Sequence, residues 1–106
     1  MNKNYALVTG STAGIGLDIA KELAEKGHNI ILTARRVERL KDISTQFTED
    51  YKIHCDYVVA DLSEITAPET IFKFCVDRNY PIDILVNNAG YSINKKFHET
   101  AEDEEE

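Results

Sequence analysis

Four short runs of apolar and β-branched residues recur along the chain, separated by amphipathic segments. They cover Tyr5–Thr9, Asn29–Thr33, Asp56–Ala60 and Ile82–Val86, and their first residues lie 24, 27 and 26 positions apart. The apolar residues in each run are consecutive rather than alternating, as in strands that are covered on both faces of a parallel sheet. The pattern predicts four parallel strands joined by three helices, in the order βαβαβαβ.

The segments between the runs carry apolar residues at helical spacing. The first helix is predicted to begin near Gly14 and to end before Gly27. The third begins at Thr66, where Thr66 and Glu69 form the pattern of a capping box. The residues expected to face the sheet are Ile15, Ile19, Ala20, Leu23 and Ala24 in the first helix, Val37, Leu40, Ile43 and Phe47 in the second, and Ile71, Phe72, Cys75 and Val76 in the third.

Length and composition place the chain among small globular proteins. Its 106 residues make one domain. A composition of 42% hydrophobic and 29% charged residues excludes a disordered or fibrous chain. The sequence has no apolar run near the ~20 residues that span a bilayer, and its N-terminus does not have the pattern of a signal peptide. Cys55 and Cys75 match no metal or redox spacing. We therefore expect a reduced, cytoplasmic protein with no membrane partner and no metal site.

The net charge of −7 is concentrated at the end of the chain. Six of the 19 acidic residues lie between Glu99 and Glu106, which leaves 13 acidic and 12 basic residues before them. A nearly neutral body argues against nucleic acid as a partner. Thr100 followed by Asp103 is typical of a helix start, so residues 100–106 are predicted to begin a further helix. The alternative is a disordered acidic tail.

A glycine-rich loop follows the first run and opens the first helix, in the segment Thr9–Gly16. A pyrophosphate needs backbone N–H groups at close range and the positive end of a helix dipole, and glycines permit that approach. No Lys-Ser/Thr pair follows the last glycine, which excludes the phosphate loop of nucleoside triphosphatases. The alternative is a plain glycine turn. The candidate cofactor ligands in this loop are Gly10, Ser11, Thr12, Gly14, Ile15 and Gly16.

A second motif, Asn87-Asn88-Ala89-Gly90, follows the fourth run. Together with the TGxxxGIG pattern of Thr9–Gly16 it resembles the classical type of the short-chain dehydrogenase/reductase family. The resemblance covers the whole chain but only the N-terminal half of the family's domain. It implies a Rossmann-like, doubly wound α/β fold with strand order 3-2-1-4 and a cofactor at the switch between strands 1 and 4. The extended, epimerase-type relatives are the alternative, and the GxxxGxG spacing disfavours them.

The end of the second run indicates which cofactor is used. An NAD-selective fold places a carboxylate there to bind the ribose 2′-hydroxyl, whereas this chain has Arg35 and Arg36. A guanidinium pairs with a 2′-phosphate through two hydrogen bonds. We therefore predict NADP(H) rather than NAD(H), with Arg35 as the main ligand and Arg36 as the second. The alternative is that both arginines are surface charges at a helix start.

Two further groups of candidates come from the resemblance. Asp61 and Leu62 follow the third run, and the corresponding pair in the family lies near the adenine. Asp61 could accept a hydrogen bond from the exocyclic amine, or could simply cap a loop. The resemblance also implies that Asn87, Asn88, Ala89 and Gly90 line the ribose side of the cofactor and stabilise the sheet.

The catalytic residues of the family are a Ser and a Tyr-x-x-x-Lys pair on a later helix. Tyr91 and Lys95 have this spacing, but they directly follow Gly90, in a loop rather than on a helix, so we assign no catalytic residue in this chain. Residues 1–106 are thus expected to form a partial, truncated NADP(H)-binding domain, inactive alone, of an enzyme that interconverts an alcohol and a carbonyl. A small-molecule substrate would need the missing C-terminal half.

Two alternatives to the enzyme remain. The chain could be a non-catalytic dinucleotide-binding or interaction module, or a truncated inactive product. Without the later strands of the family's domain, the run Ile82–Val86 would be left as an apolar edge strand, through which copies could associate.

Overall fold

A four-stranded parallel sheet forms the centre of the molecule, in a computed structural model that describes residues 4–10 and 14–87. Strands β1 (Tyr5–Thr9), β2 (Asn29–Ala34), β3 (Cys55–Val59) and β4 (Ile82–Val86) alternate with helices α1 (Gly14–Glu25), α2 (Val37–Tyr51) and α3 (Ala67–Asp77). The strand order is β3-β2-β1-β4, which confirms the predicted fold. No helix in these ranges is long and apolar enough to cross a membrane.

The predicted strand bounds are close to the observed ones. Those of β1 and β4 agree, whereas β2 extends one residue further, to Ala34, and β3 begins and ends one residue earlier than predicted. All three strand pairs are parallel, and a register shift between β1 and β4 falls beside Tyr5. Within the described ranges β4 is an edge strand. Association of copies through this edge stays a prediction.

Both faces of β1 and β2 are buried, which explains the consecutive apolar residues in these two strands. Ala6 and Val8 of β1 pack on the face that is covered by α1 and α2, and Leu7 packs on the face covered by α3. In β2, Ile30 and Leu32 share the first face, and Ile31 lies on the second. These side chains are fully buried. The resulting three-layer arrangement holds the strand ends, and the loops that follow them, in fixed positions.

Three of the apolar residues predicted to face the sheet are exposed instead. Ile15 is 70% exposed, Val37 43% and Val76 55%. Each lies in a terminal turn of its helix, where the sheet no longer covers the side chain. The buried contact of α1 is made instead by small residues four positions apart, Gly16, Ala20 and Ala24. Small side chains allow this helix to pack closely on the sheet.

The predicted capping bond from Thr66 at the start of α3 is wrong, although Thr66 is the N-cap residue. Thr66 has helical backbone angles, φ −85° and ψ −9°, and its side chain makes no capping hydrogen bond. Its carbonyl oxygen accepts bonds from the amide and the hydroxyl of Thr70, both at 3.1 Å. Pro68 in the first turn supplies a start signal instead, because its missing N–H would have no helical partner there.

The two cysteines are buried free thiols on opposite faces of the sheet. Burial raises the pKa of Cys55 to about 12 and that of Cys75 to about 11. Both groups are therefore protonated at neutral pH, and a thiol is a much weaker nucleophile and metal ligand than a thiolate. The cysteines act as small core side chains.

An aromatic and charged cluster closes the amino end of the sheet. The rings of Tyr5 and Tyr80 stack with their centroids 4.3 Å apart, and the Tyr5 hydroxyl is hydrogen-bonded to Nδ1 of His54. The Tyr80 hydroxyl donates to Oδ2 of Asp56 at 2.8 Å, and Arg78 Nε lies 3.8 Å from the same oxygen. These contacts tie the start of β4 to β1 and β3, at the end of the strands opposite the candidate site.

Candidate functional site

A cleft of about 370 Å³ lies at the carboxyl ends of β1, β2 and β3. This edge of a parallel sheet is where ligands bind in doubly wound folds. The cleft brings together five of the predicted site residues, although they come from three separate loops. The residues that line it are Gly10, Ala34, Arg35, Arg36, Ala60, Asp61, Leu62 and Ser63.

Backbone hydrogen bonds extend the sheet into the cleft. The amide of Gly10 donates to the carbonyl of Thr33 at 2.9 Å, one residue beyond the end of β1. The amide of Ala60 donates to the carbonyl of Ala34 at 3.0 Å, one residue beyond the end of β3. The first residues of two lining loops are therefore held in register with β2. The cleft is a pre-formed part of the fold, since its loops leave the sheet from fixed points.

Gly10 and Gly14, at the two ends of the glycine loop between β1 and α1, have left-handed backbone. Gly10 has a φ of +62° and Gly14 a φ of +60°, backbone angles that residues with a Cβ rarely adopt. A Cβ built on Gly14 would have no described atom within 4 Å, other than atoms of its own helical turn. Gly14 is also the first residue of α1, so the first N–H groups and the positive end of the helix dipole lie beside this space. This geometry suits an anionic group that approaches the backbone closely.

The other predicted residues of this loop have different surroundings. Ile15 is exposed in the first turn of α1, and Gly16 is buried where that helix packs on the sheet. The predicted ligands Ser11 and Thr12 lie outside the described residues.

Arg35 and Arg36 form the charged wall of the cleft. Both side chains are exposed, and within residues 4–10 and 14–87 neither forms an ion pair. Arg36 is the N-cap residue of α2, with extended backbone and no side-chain capping bond, and its carbonyl accepts from Leu40 at 3.3 Å. Positive charges at a helix N-terminus are unfavourable by about 0.3–1 kcal/mol each. The two arginines thus oppose the dipole of α2 and remain available to an anion.

Asp61 lies on the wall of the cleft that follows β3. Its Oδ1 accepts two hydrogen bonds from Ser63, one from the hydroxyl at 2.6 Å and one from the amide at 3.0 Å. These bonds, in that order, and to a lesser extent the charge of Arg35 hold the pKa of the Asp61 carboxyl below its ordinary value. Asp61 therefore caps its loop, as one of the sequence alternatives proposed, and is ionised. Contact with an adenine stays a prediction.

Asn87 lies at the switch point between β1 and β4. The buried hydroxyl of Thr9 lies 3.4 Å from Oδ1 of Asn87 and 3.3 Å from the carbonyl of Val86. This contact joins the start of the second motif to the end of β1, where the first motif begins. Asn88, Ala89 and Gly90 lie outside the described residues, as do Tyr91 and Lys95.

Ser63, Ala34 and Ala60 line the cleft but are absent from the residues predicted as ligands. The two alanines became lining residues because of the strand register, which a single sequence does not reveal. Ser63 had a local signal, since an Asp followed two residues later by a Ser is typical of an Asx turn.

Taken together, the fold and the cleft define a Rossmann-like nucleotide-binding unit. The cleft is lined by the left-handed backbone of Gly10, two exposed guanidinium groups and an ionised carboxylate, and the N-terminus of α1 lies at Gly14, at the other end of the glycine loop. Such a set can hold the phosphates of a nucleotide on one side and accept a hydrogen bond from a base on the other. The residues present fit a dinucleotide.

Comparison with known proteins gives the family. The model of the short chain dehydrogenase family matches residues 4–106. The chain therefore belongs to the short-chain dehydrogenase/reductase family, whose members are oxidoreductases, and it corresponds to the N-terminal part of their domain.

Individual relatives agree with this assignment. The chain is 44% identical over 102 residues to hydroxysteroid dehydrogenase-like protein 1 of Gallus gallus, and 39% identical over 104 residues to inactive hydroxysteroid dehydrogenase-like protein 1 of Homo sapiens. In both cases 93% of this chain aligns with 30% of the relative's length. L-sorbose reductase from Gluconobacter frateurii, solved with NADPH and L-sorbose, superimposes with a TM-score of 0.77 at 34% identity. That match covers 83% of this chain and 34% of the reductase.

Proposed function

We propose that this chain supplies the NADP(H)-binding part of an oxidoreductase that interconverts an alcohol and a carbonyl by hydride transfer. The observation that carries the proposal is the composition of the cleft. The backbone of Gly10, the first residue after β1, lines the same cleft as two exposed arginines, and no carboxylate directly follows β2. The L-sorbose reductase structure, which contains NADPH, supports a dinucleotide as the ligand.

The preference for NADP(H) rests on Arg35 and Arg36. The competing interpretation, surface charges at a helix start, is weakened because cations at this end of α2 oppose the helix dipole. A 2′-phosphate would remove that conflict, since it brings up to two negative charges to the same place. Arg35 is the main ligand in our proposal, because it directly follows the end of β2 and lines the cleft. Arg36 is the second ligand.

Replacement of Arg35 by alanine should lower the affinity for NADPH about tenfold and leave the affinity for NADH unchanged. One charge-assisted contact at an exposed site is worth about 1.4 kcal/mol, which corresponds to that factor. The wild-type chain should bind NADPH more tightly than NADH. Dissociation constants measured by fluorescence titration for both cofactors check these expectations.

Lys41→Ala is the charge-matched control for this experiment. Lys41 is an exposed cation on α2, and it does not line the cleft. Its removal should change neither dissociation constant by more than the weak effect of net charge. Equal affinities of the wild type for NADPH and NADH would contradict the proposed preference. If Arg35→Ala weakened the binding of both cofactors equally, Arg35 would not be the ligand of the 2′-phosphate.

The chemistry of the reaction needs more than the cofactor cleft. A bound nicotinamide supplies or accepts the hydride, and a proton donor must act on the substrate oxygen. In our proposal the residues of this chain bind and orient the cofactor. The proton donor comes from the family's Ser and Tyr-x-x-x-Lys, which we place outside residues 1–106. The chain spans about 30% of the length of the two hydroxysteroid dehydrogenase-like relatives, so we assign the substrate to the rest of the domain.

The 106-residue chain should bind NADPH without reducing any ketone. The loss of NADPH absorbance with a panel of aliphatic, cyclic and steroidal ketones measures this. Heat-denatured protein gives the background rate. Carbonyl reduction above that background would show that the catalytic groups are in this chain, contrary to our assignment.

A second candidate is a non-catalytic dinucleotide-binding module. It is supported by the human relative, whose name describes it as inactive. The two candidates differ when the chain is joined to a family segment that restores the catalytic Ser and Tyr-x-x-x-Lys. Turnover by the joined protein supports the oxidoreductase, and NADPH binding without turnover supports the module.

A further inference from the structure

Both hydrogen-bond donors of Ser63, its hydroxyl and its backbone amide, are bonded to the same carboxylate oxygen of Asp61. The hydroxyl donates to Oδ1 at 2.6 Å and the backbone amide donates to the same atom at 3.0 Å. The first distance is in the range of a short bond to an ionised oxygen. The amide of Glu64 also donates to the Asp61 carbonyl at 3.0 Å, which closes the turn. Two donors from one residue fix the rotation of the Asp61 carboxylate.

The second carboxylate oxygen of Asp61 is left for a donor from outside the loop. A carboxylate has about four acceptor positions on its two oxygens, and both Ser63 bonds use Oδ1. Within the described part of the chain no hydrogen bond to Oδ2 is present, and Asp61 is half-buried in the wall of the cleft. The adjacent Leu62 adds an apolar surface to the same wall.

We propose that Ser63 is a positioning residue for cofactor recognition, which holds Asp61 with Oδ1 in the loop and Oδ2 free to accept the exocyclic amine of adenine. The inference rests on the proposed function, because it takes a dinucleotide to be the ligand of the cleft. The amine is a donor, and it complements an oxygen that is fixed and ionised. The charge of Arg35 stabilises the same ionised form. Ser63 thereby sets the selectivity for the base, and Arg35 that for the 2′-phosphate.

The test compares NADPH with its analogue in which hypoxanthine replaces adenine. The analogue carries a carbonyl in place of the amine, so that Oδ2 would face a second acceptor. The wild-type chain should bind NADPH about tenfold more tightly than the analogue, the factor for one hydrogen bond to a charged group. In Ser63→Ala this ratio should fall to about 2 or 3, whereas Ser63→Thr keeps the hydroxyl and should restore it. Thr45→Ala, which removes an exposed hydroxyl on α2 away from the cleft, is the control.

A second measurement needs no cofactor. The pKa of the Asp61 carboxyl should lie below the ordinary value of an aspartate in the wild type, because of the hydrogen bonds from Ser63, and in Ser63→Ala it should rise towards that ordinary value, as followed by carbon NMR. An unchanged ratio in Ser63→Ala, or no selectivity between the two cofactors in the wild type, would overturn the role of Ser63 while the dinucleotide site stands. Failure of the wild type to bind NADPH would instead overturn the proposed function, and the role of Ser63 with it.

Discussion

Replacement of Ile31 by alanine is expected to lower the free energy of unfolding by about 3 kcal/mol. Ile31 is fully buried in β2, between two other strands and beneath α3. Truncation removes the transfer free energy of three carbon atoms and leaves a cavity in a layer that the strands prevent from closing. A domain of this size has only about 5–15 kcal/mol of stability in total, so a large part would be lost.

Ile65→Ala makes the same chemical change at a residue that is 91% exposed, and it serves as the matched control. Its effect should be within about 0.5 kcal/mol, because no packing is lost. Urea unfolding followed by circular dichroism measures both variants at equal protein concentration. If the two variants unfold at the same urea concentration, then the packing of α3 on β2 does not form the core described above.

The fold could be predicted because its signals are local. Each strand is a consecutive apolar run, and a strand followed directly by Thr9–Gly16 and a helix has few alternative structures. The positions of Gly10, Arg35 and Asp61 at one cleft then follow from topology alone, since the carboxyl ends of parallel strands share an edge. Five of the eight residues that line the cleft are therefore among those predicted from the sequence, and their role as cofactor ligands stays a prediction.

What could not be predicted depends on where an element lies relative to its neighbours. Ile15 and Val76 have the spacing of core residues, but they lie in terminal turns beyond the cover of the sheet. Thr66 has the sequence of a capping box, yet its helical backbone angles keep the side chain from capping. Spacing identifies a helix face, whereas burial also requires an opposing layer. For the same reason Ala34 and Ala60 were not predicted, since the register of the strands places them in the lining of the cleft.

Replacement of Gly14 by alanine is expected to weaken NADPH binding about 100-fold. Gly14 begins α1 with a φ of +60°. A Cβ at this position would project into open space, because no described atom beyond its own helical turn lies within 4 Å of it. In our proposal a phosphate group approaches the backbone at this point. A methyl group would hold it away from the N–H groups of the helix, and the loss of one or two charge-assisted hydrogen bonds amounts to about 2–3 kcal/mol.

Gly27→Ala separates the loss of binding from the cost of backbone strain. Gly27 also has a left-handed backbone, φ +91°, and its Cβ would also meet nothing within 4 Å. It lies beyond the other end of α1, roughly 20 Å from Gly14 at 1.5 Å per residue. Both variants should lose about 1 kcal/mol of stability, because alanine disfavours this conformation. Only Gly14→Ala should change the dissociation constant for NADPH, measured by calorimetry. Equal binding by the two variants would show that phosphate does not approach the start of α1.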